Sequence, residues 1–400
     1  MKRFLWIFVF ILPATNSWCA RKITVGQLED ILRTMRQEKK SDTEVATALK
    51  QVELSQELTR GTMNSLVSYV PGPLATEQIY VLEARSADLV PPQSDLPSTP
   101  APDAATQTAI LEKTISYVGG SYAQLAELTA TKTTLRFQDN VEAIASSSGT
   151  QGGATDVVVS AGFSNPATFV HYINSSETRA VFVHGSEKWP PEKDKTPWGA
   201  NKMIALEEPD PGLADVFREA QSADSLHWLR WELINGKPAA VFAFKVPQKQ
   251  SHLNVSVCCF PNVNQAGIGT FYTATSAAAL GGGGGTGGGG VAGNFQTSTD
   301  WHDFRIIAPY HGELFIDPDT GIVLRMITEA ELKPSDVVHE LDTRVDFGPV
   351  KVSDKTLVVP MKTFVNTLVV PHGDSGAATY TTRRTLFTSE YKDYAQAGAK

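Results

Sequence analysis

The chain has 400 residues, 42% of them hydrophobic, enough to bury one large core or two ordinary ones. Its formal net charge is -8, its pI is about 5.6, and no long Lys/Arg run offsets that balance. An acidic chain without a basic stripe argues against nucleic-acid binding and gives no footprint for an anionic membrane surface.

Lys2 and Arg3 precede an apolar run from Phe4 to Pro13, and the polar "ATNSWCA" follows it. That order of charge, apolar core and small residues predicts a secretory signal peptide over residues 1–20, cleaved between Ser17 and Ala20. The run is shorter than the roughly 20 apolar residues of a membrane span, so no span is expected after cleavage. Trp18 and Asn16 stand where a lipobox carries a small residue and a leucine, so Cys19 does not read as a lipid anchor. The expected location is outside the cytoplasm, periplasmic or extracellular. Cys258 and Cys259 are neighbours that point to opposite faces of a strand, so they read as free thiols and the fold relies on its core.

Residues 22–90 are expected to form a helical domain. Thr24 with Gln27 makes a capping-box pattern ahead of Val25, Leu28, Ile31, Leu32 and Met35, and Ser41 with Glu44 repeats it ahead of Val45, Leu49 and Val52. A further helix is expected over about Leu74 to Asp88, after the break at Pro71-Gly72-Pro73. The Pro-rich stretch 91–102 then reads as a stiff linker and a domain boundary.

The second domain, 103–394, opens on a helix capped by Asp103 and then turns to strand periodicity at "TATKTTLRF". Eleven further strand-like stretches follow, from "TDVVVSA" to "ATYTTRRTLFTSEY", and Asn235-Gly236 marks one hairpin. The predicted class is α+β: an N-terminal helical bundle followed by a large antiparallel, half-barrel-like sheet with a few helices. Residues 276–294, "SAAALGGGGGTGGGGVAGN", have little apolar area to bury and read as a flexible insertion.

Candidate chemistry is sparse. Gly373-Asp374-Ser375-Gly376 matches the nucleophile string of chymotrypsin-type proteases, but Ala377 follows it and no catalytic-histidine segment precedes it, so it reads as a loop. The eight histidines are scattered, with no HExxH and no helical pair, so no metal site is expected. No catalytic residue and no cofactor are assigned. Asp317-Pro318-Asp319-Thr320-Gly321 resembles a calcium loop, yet its glycine falls at position five and Thr328 stands at position twelve, so it reads as a hairpin turn. Trp189, Trp198, Trp228, Trp231 and Trp301 form the candidate ligand or partner surface. For Trp228 and Trp231 the competing reading is sheet packing, and strict alternation puts them on opposite faces of one strand.

The stretches "APDAATQTAILEKTISYVGGSYAQLAELTATKTTLRFQD", "LRWELINGKPAAVFAFKVPQKQSHLNVSVCC", "YHGELFIDPDTGIVLRMITEAEL" and "VDFGPVKVSDKTLVVPMKTFV" resemble the landmarks of a family of uncharacterised secreted bacterial proteins. More distantly, "AAVFAFKV", "YHGELFIDPDTGIVLRM" and "VDFGPVKV" are similar to the LolA/LolB and RseB-like lipoprotein-carrier fold. That resemblance implies a curved antiparallel sheet with an apolar, acyl-binding groove. The expected function is therefore non-enzymatic binding of an apolar or acyl ligand, or of an envelope partner, through the β domain. A protein-interaction module using the N-terminal helices is the alternative, and a hydrolase is the weakest one.

Overall fold

The computed structural model describes residues 21–123, 125–139, 170–188, 212–234, 236–261, 301–369 and 383–397. The expected signal peptide, the "TDVVVSA" strand, the glycine-rich tract 276–294 and the string 373–376 lie outside them.

Both capping boxes form. The Gln27 N–H donates to Thr24 Oγ1 and the Thr24 N–H donates to Gln27 Oε1 at 3.0 Å, starting α1 (Val25–Gln37). Ser41 and Glu44 exchange the same pair of bonds at the start of α2 (Asp42–Lys50). After α3 (Arg60–Val67), α4 (Pro73–Arg85) begins on a proline at its first turn. The Asp42 carboxylate reaches over from α2 to accept from the N–H groups of Leu74 and Ala75 at 3.0 and 2.9 Å. A parallel ladder of β1 (Arg21–Ile23) with β2 (Val52–Leu54) completes this unit. Three-residue strands carry too few residues to show a period of two, which is why a purely helical reading misses them.

Asp103 caps α5 (Ala104–Ser116) by accepting from the Thr106 N–H at 2.8 Å, and the helix runs on into a π-helical turn at Tyr117–Tyr122. The strands of the main sheet follow: β3 (Leu128–Asp139), β4 (Val170–Val183), β5 (Ser186–Glu187), β6 (His227–Ile234) and β7 (Lys237–Val246), with α6 (Leu213–Ser222) before β6. β8 (Asn254–Pro261) and β9 (Trp301–Ile307) form a separate two-stranded ribbon. β10 (Tyr310–Ile316), β11 (Val323–Ala330), β12 (Val338–Val352), β13 (Lys355–Val369) and β14 (Arg383–Gln396) then complete the sheet. Its ten strands run β5-β4-β3-β14-β13-β12-β11-β10-β7-β6, each antiparallel to its neighbours. The stretch 305–317, which reads as one strand, is interrupted at Ala308-Pro309, where proline withholds a ladder donor.

The Asp317–Gly321 segment is a hairpin turn between β10 and β11. Asp317 Oδ1 accepts from the Asp319 N–H at 2.9 Å, the Asp317 carbonyl accepts from the Gly321 N–H at 2.8 Å, and Gly321 has φ of 76°. A side chain at Gly321 would also run into the backbone of Lys113 on α5, with a Cβ only 2.5 Å from the Lys113 carbonyl carbon. The turn thus fixes the helix against the sheet as well as reversing the chain.

Helices cover both faces of the sheet. On the inner face, Ile110, Val118, Tyr122, Val216, Phe217 and Ala220 from the helical elements pack on Phe242, Phe244, Leu314 and Met326. On the outer face, Val81 and Ala84 of α4, with Ala87 beyond it, pack on Phe137, Val170, Phe364 and Leu386. Ion pairs at this second contact are nearly dry. Glu57, between β2 and α3, accepts from Arg344 Nη1 at 2.6 Å and lies 3.3 Å from Arg325 Nη1, and both arginines also hold Asp346. Arg344 Nη1 also donates to the Ala87 carbonyl, and Lys362 pairs with Glu83 of α4 at 3.3 Å.

Removing one partner of a buried pair strands the other charge, so Glu57→Ala should lower the unfolding free energy by roughly 3–5 kcal/mol. Glu29→Ala, which breaks the exposed Glu29–Arg33 pair on α1, should cost less than about 1 kcal/mol. Denaturant unfolding of the two variants checks this, and equal small losses would refute the dry contact.

Candidate partner-docking site

The structure corrects the expectation that Trp228 and Trp231 face opposite ways. The pairing of β6 with β7 shifts between Trp228 and Arg230, leaving Leu229 as an extra residue without an opposite number. Trp228 then opposes Phe242 and Trp231 opposes Ala240, both on the inner face. Their rings meet edge to face, with centroids 4.9 Å apart at 70°, and Trp228 makes a second edge contact with Phe242 at 5.7 Å. Aromatic quadrupoles favour this arrangement. Both indoles are partly buried against the core and keep part of their surface open.

The bulge also turns Arg230 to the outer face. There it donates to both Glu313 oxygens, at 2.8 and 2.7 Å, and to Glu232 at 3.0 and 2.8 Å. Glu232 is 1% exposed and lies 3.6 Å from Arg325, so the edge strand joins the network around Glu57. That network holds four carboxylates (Glu57, Glu232, Glu313, Asp346) against three guanidinium groups (Arg230, Arg325, Arg344). Burial pushes Glu232 up to about 7, with the Glu57 charge adding to it and Arg230 opposing it. Asp346 is half-buried, and although desolvation works to raise it, Arg325 and Arg344 hold its carboxyl well below the usual range.

β6 is the last strand of the sheet, and its outward edge meets no strand among the described residues. Leu229 and Leu233 on this edge are 43% and 42% exposed. The Pro100 carbonyl accepts from the Trp231 indole N–H at 2.9 Å, which lays the Pro-rich segment beside the aromatic pair. Of the five tryptophans singled out in the sequence, the structure therefore brings two together. Trp189 and Trp198 lie outside the described residues, and Trp301 opens β9 in the separate ribbon.

A second polar group sits where the chain leaves α4. Asp88 is near enough to Glu329, Glu340 and Asp342 to feel their charges, with Arg384 donating to Glu340 at 2.6 Å and Asn366 donating to Asp342 at 2.8 Å. Burial pushes Asp342 up to about 7, Asp88 adds to the rise, and the Asn366 amide works against it. Burial raises Asp88 as well. His311, hydrogen-bonded to Glu329, is raised too. Among the described residues no group of three or more His, Cys, Asp or Glu side chains is arranged to hold a metal ion. No helix among them is long and apolar enough to cross a membrane.

The charged network was missed in the sequence, although it leaves a signal there. Arg230-Trp231-Glu232 and Arg344-Val345-Asp346 set opposite charges two apart on strands, which places each pair on one face. On a face packed under helices, such pairs are buried.

No family model matches the chain, and no curated protein matches it in sequence. Among solved structures, the complex of MucA with MucB from Pseudomonas aeruginosa is similar at TM-score 0.17 and 10% identity, over 74% of this chain and 100% of that chain. A likeness of that size assigns neither fold nor partner. The lipoprotein-carrier resemblance thus rests on its sequence landmarks.

At mildly acidic pH the folded protein keeps protons on Asp342 and Glu232 that the unfolded chain has already released. Unfolding free energy should therefore fall as pH rises from about 4 to about 7, and His311 acts in the same sense. Denaturation across this window should show the fall, and Asp342→Asn should flatten it. A stability that rises over the same window refutes the assignment.

Proposed function

We propose that this protein is a non-catalytic, exported binding protein that docks an envelope partner on the β6 edge of its sheet. One observation carries the reading: Trp228, Trp231, Leu229 and Leu233 form an apolar, partly open surface beside a strand edge that no other strand covers among the described residues. An extended segment can add to such an edge through backbone hydrogen bonds while aromatic side chains select its residues. The apolar or acyl ligand expected on the sheet face has less support. Phe242, Phe244, Leu314 and Tyr122 on that face are each at most 2% exposed, so the face serves as core.

A second reading places a partner on the helical unit. A cleft of about 400 Å3 there is lined by Arg36, Lys39 and Lys40 with Tyr69, Met35, Val45 and Val70, and Lys40 is paired with Glu38 at 3.9 Å and Glu44 at 3.6 Å. Its chemistry suits an anionic group with an apolar neighbour.

A photo-crosslinking residue at position 233 should give a discrete adduct in the envelope of the producing cell. The same probe replacing Leu74 on α4, which is 49% exposed, should give none. Absence of an adduct from position 233 would reject docking at this edge. Ser375→Ala should leave the adduct unchanged, whereas the hydrolase alternative requires that variant to abolish an activity.

A further inference from the structure

The Pro-rich segment that contacts Trp231 has a regular pattern. Residues 96–103 read "LPSTPAPD", with prolines at 97, 100 and 102, so two of them stand in a PxxP spacing. Each proline ring holds its own φ near -65°, and each residue before a proline is steered to extended backbone. Leu96 has φ -88° and ψ 135°, Asp103 has φ -67° and ψ 165°, and residues 97–102 between them belong to no helix or strand. Such a segment is polyproline II in character, and its carbonyls are left without internal partners.

Two of those carbonyls are engaged by side chains from outside the segment. Trp231 donates its indole N–H to Pro100 O at 2.9 Å, while Gln107 of α5 donates to Pro102 O at 2.8 Å. Trp231 offers what an extended proline segment needs, a flat apolar face and an N–H donor, and the edge contact with Trp228 fixes its ring. We propose that the Trp228–Trp231 pair is a proline-recognition surface, seated in this chain by its own Pro97–Pro102 strap, and that a partner's PxxP segment takes the same seat. This deepens the docking reading and rests on it.

The strap is built to exchange. Ser98, Thr99, Pro100 and Ala101 are exposed, so few contacts hold it. Its two ends are fixed independently, by the turn at Gln93–Asp95 before it and by the Asp103 cap of α5 after it. Lifting residues 97–102 therefore breaks two side-chain hydrogen bonds and leaves both helical elements anchored. The strap lowers the apparent affinity for an incoming segment by the fraction of time it fills the seat.

The test uses the full mature chain and a fluorescently labelled peptide of sequence LPSTPAPD, read by anisotropy. Replacing the strap prolines (Pro97→Gly with Pro100→Gly) should tighten peptide binding at least fivefold over the native chain. Adding Trp231→Phe, which keeps a ring and removes the N–H, should then weaken binding roughly fivefold or more. A peptide with glycine in place of each proline should not bind. Unfolding curves for each variant separate a lost seat from a lost fold. No peptide binding to the strap variant, no gain over the native chain, or indifference to Trp231→Phe would overturn the proposal. The adduct at position 233 is read separately: an adduct without peptide binding keeps docking at the edge and removes proline recognition, while no adduct removes the docking reading itself.

Discussion

Beside the Lys362–Glu83 pair of α4, the carboxylate of Glu57 ties the N-terminal helices to the sheet through two arginines. It comes from a short connection between β2 and α3, yet its oxygens meet Arg344 at 2.6 Å and Arg325 at 3.3 Å on two neighbouring strands. Those guanidinium groups lie under the helical unit, where ionic desolvation is expensive unless every charge is matched. Asp346 supplies the second match and the Ala87 carbonyl takes a further N–H from Arg344. The apolar contact of Val81, Ala84 and Ala87 with Phe364 and Leu386 sits beside this network. Hydrophobic burial supplies attraction without direction, and the ion pairs supply the register in which α4 meets the sheet.

How much of this was legible follows from the range of each signal. The capping boxes at Thr24 and Ser41, the Asp103 cap and the Asp317–Gly321 turn are each written within a few residues, and the structure has all of them. The antiparallel strands were legible for the same reason, because alternation needs only the local sequence. What failed was non-local. The ladder of β1 with β2 joins residues about thirty apart, and Glu57 finds its partners more than 260 positions away. The breaks also escaped: "VHYIN" and "TRAVFV", which read as separate strands, are one strand, β4, whereas the stretch through Pro309 is two. Pro309 carried a readable warning; the continuity of β4 across its polar middle did not.

The candidate site shows the same limit more sharply. Five tryptophans could be named from composition, but whether Trp228 and Trp231 cooperate depends on one extra residue at Leu229. No local propensity announces a bulge there, because it is set by how β6 must pair with β7. The charge pattern was nonetheless informative in hindsight. Arg230 and Glu232 share a face only if the strand is regular beyond 229, and that regular part then sets Trp231 on the face opposite to them.

The bulge therefore joins the two features that matter most. With regular pairing, Trp228 and Arg230 would share a face. With one residue inserted, Trp228 joins Trp231 on the inner face while Arg230 closes on Glu313 and Glu232 on the outer one. Arg230 bridges β6 to β10 across β7, so it clamps the last strand at the register the aromatic pair requires. A slip of one residue would expose the indoles to the wrong face and leave Glu232, almost without solvent contact, lacking its cation. The outer network thus restrains the inner surface through a single strand. An edge that meets no strand among the described residues is ordered by an ion-pair network on the opposite face of its own strand.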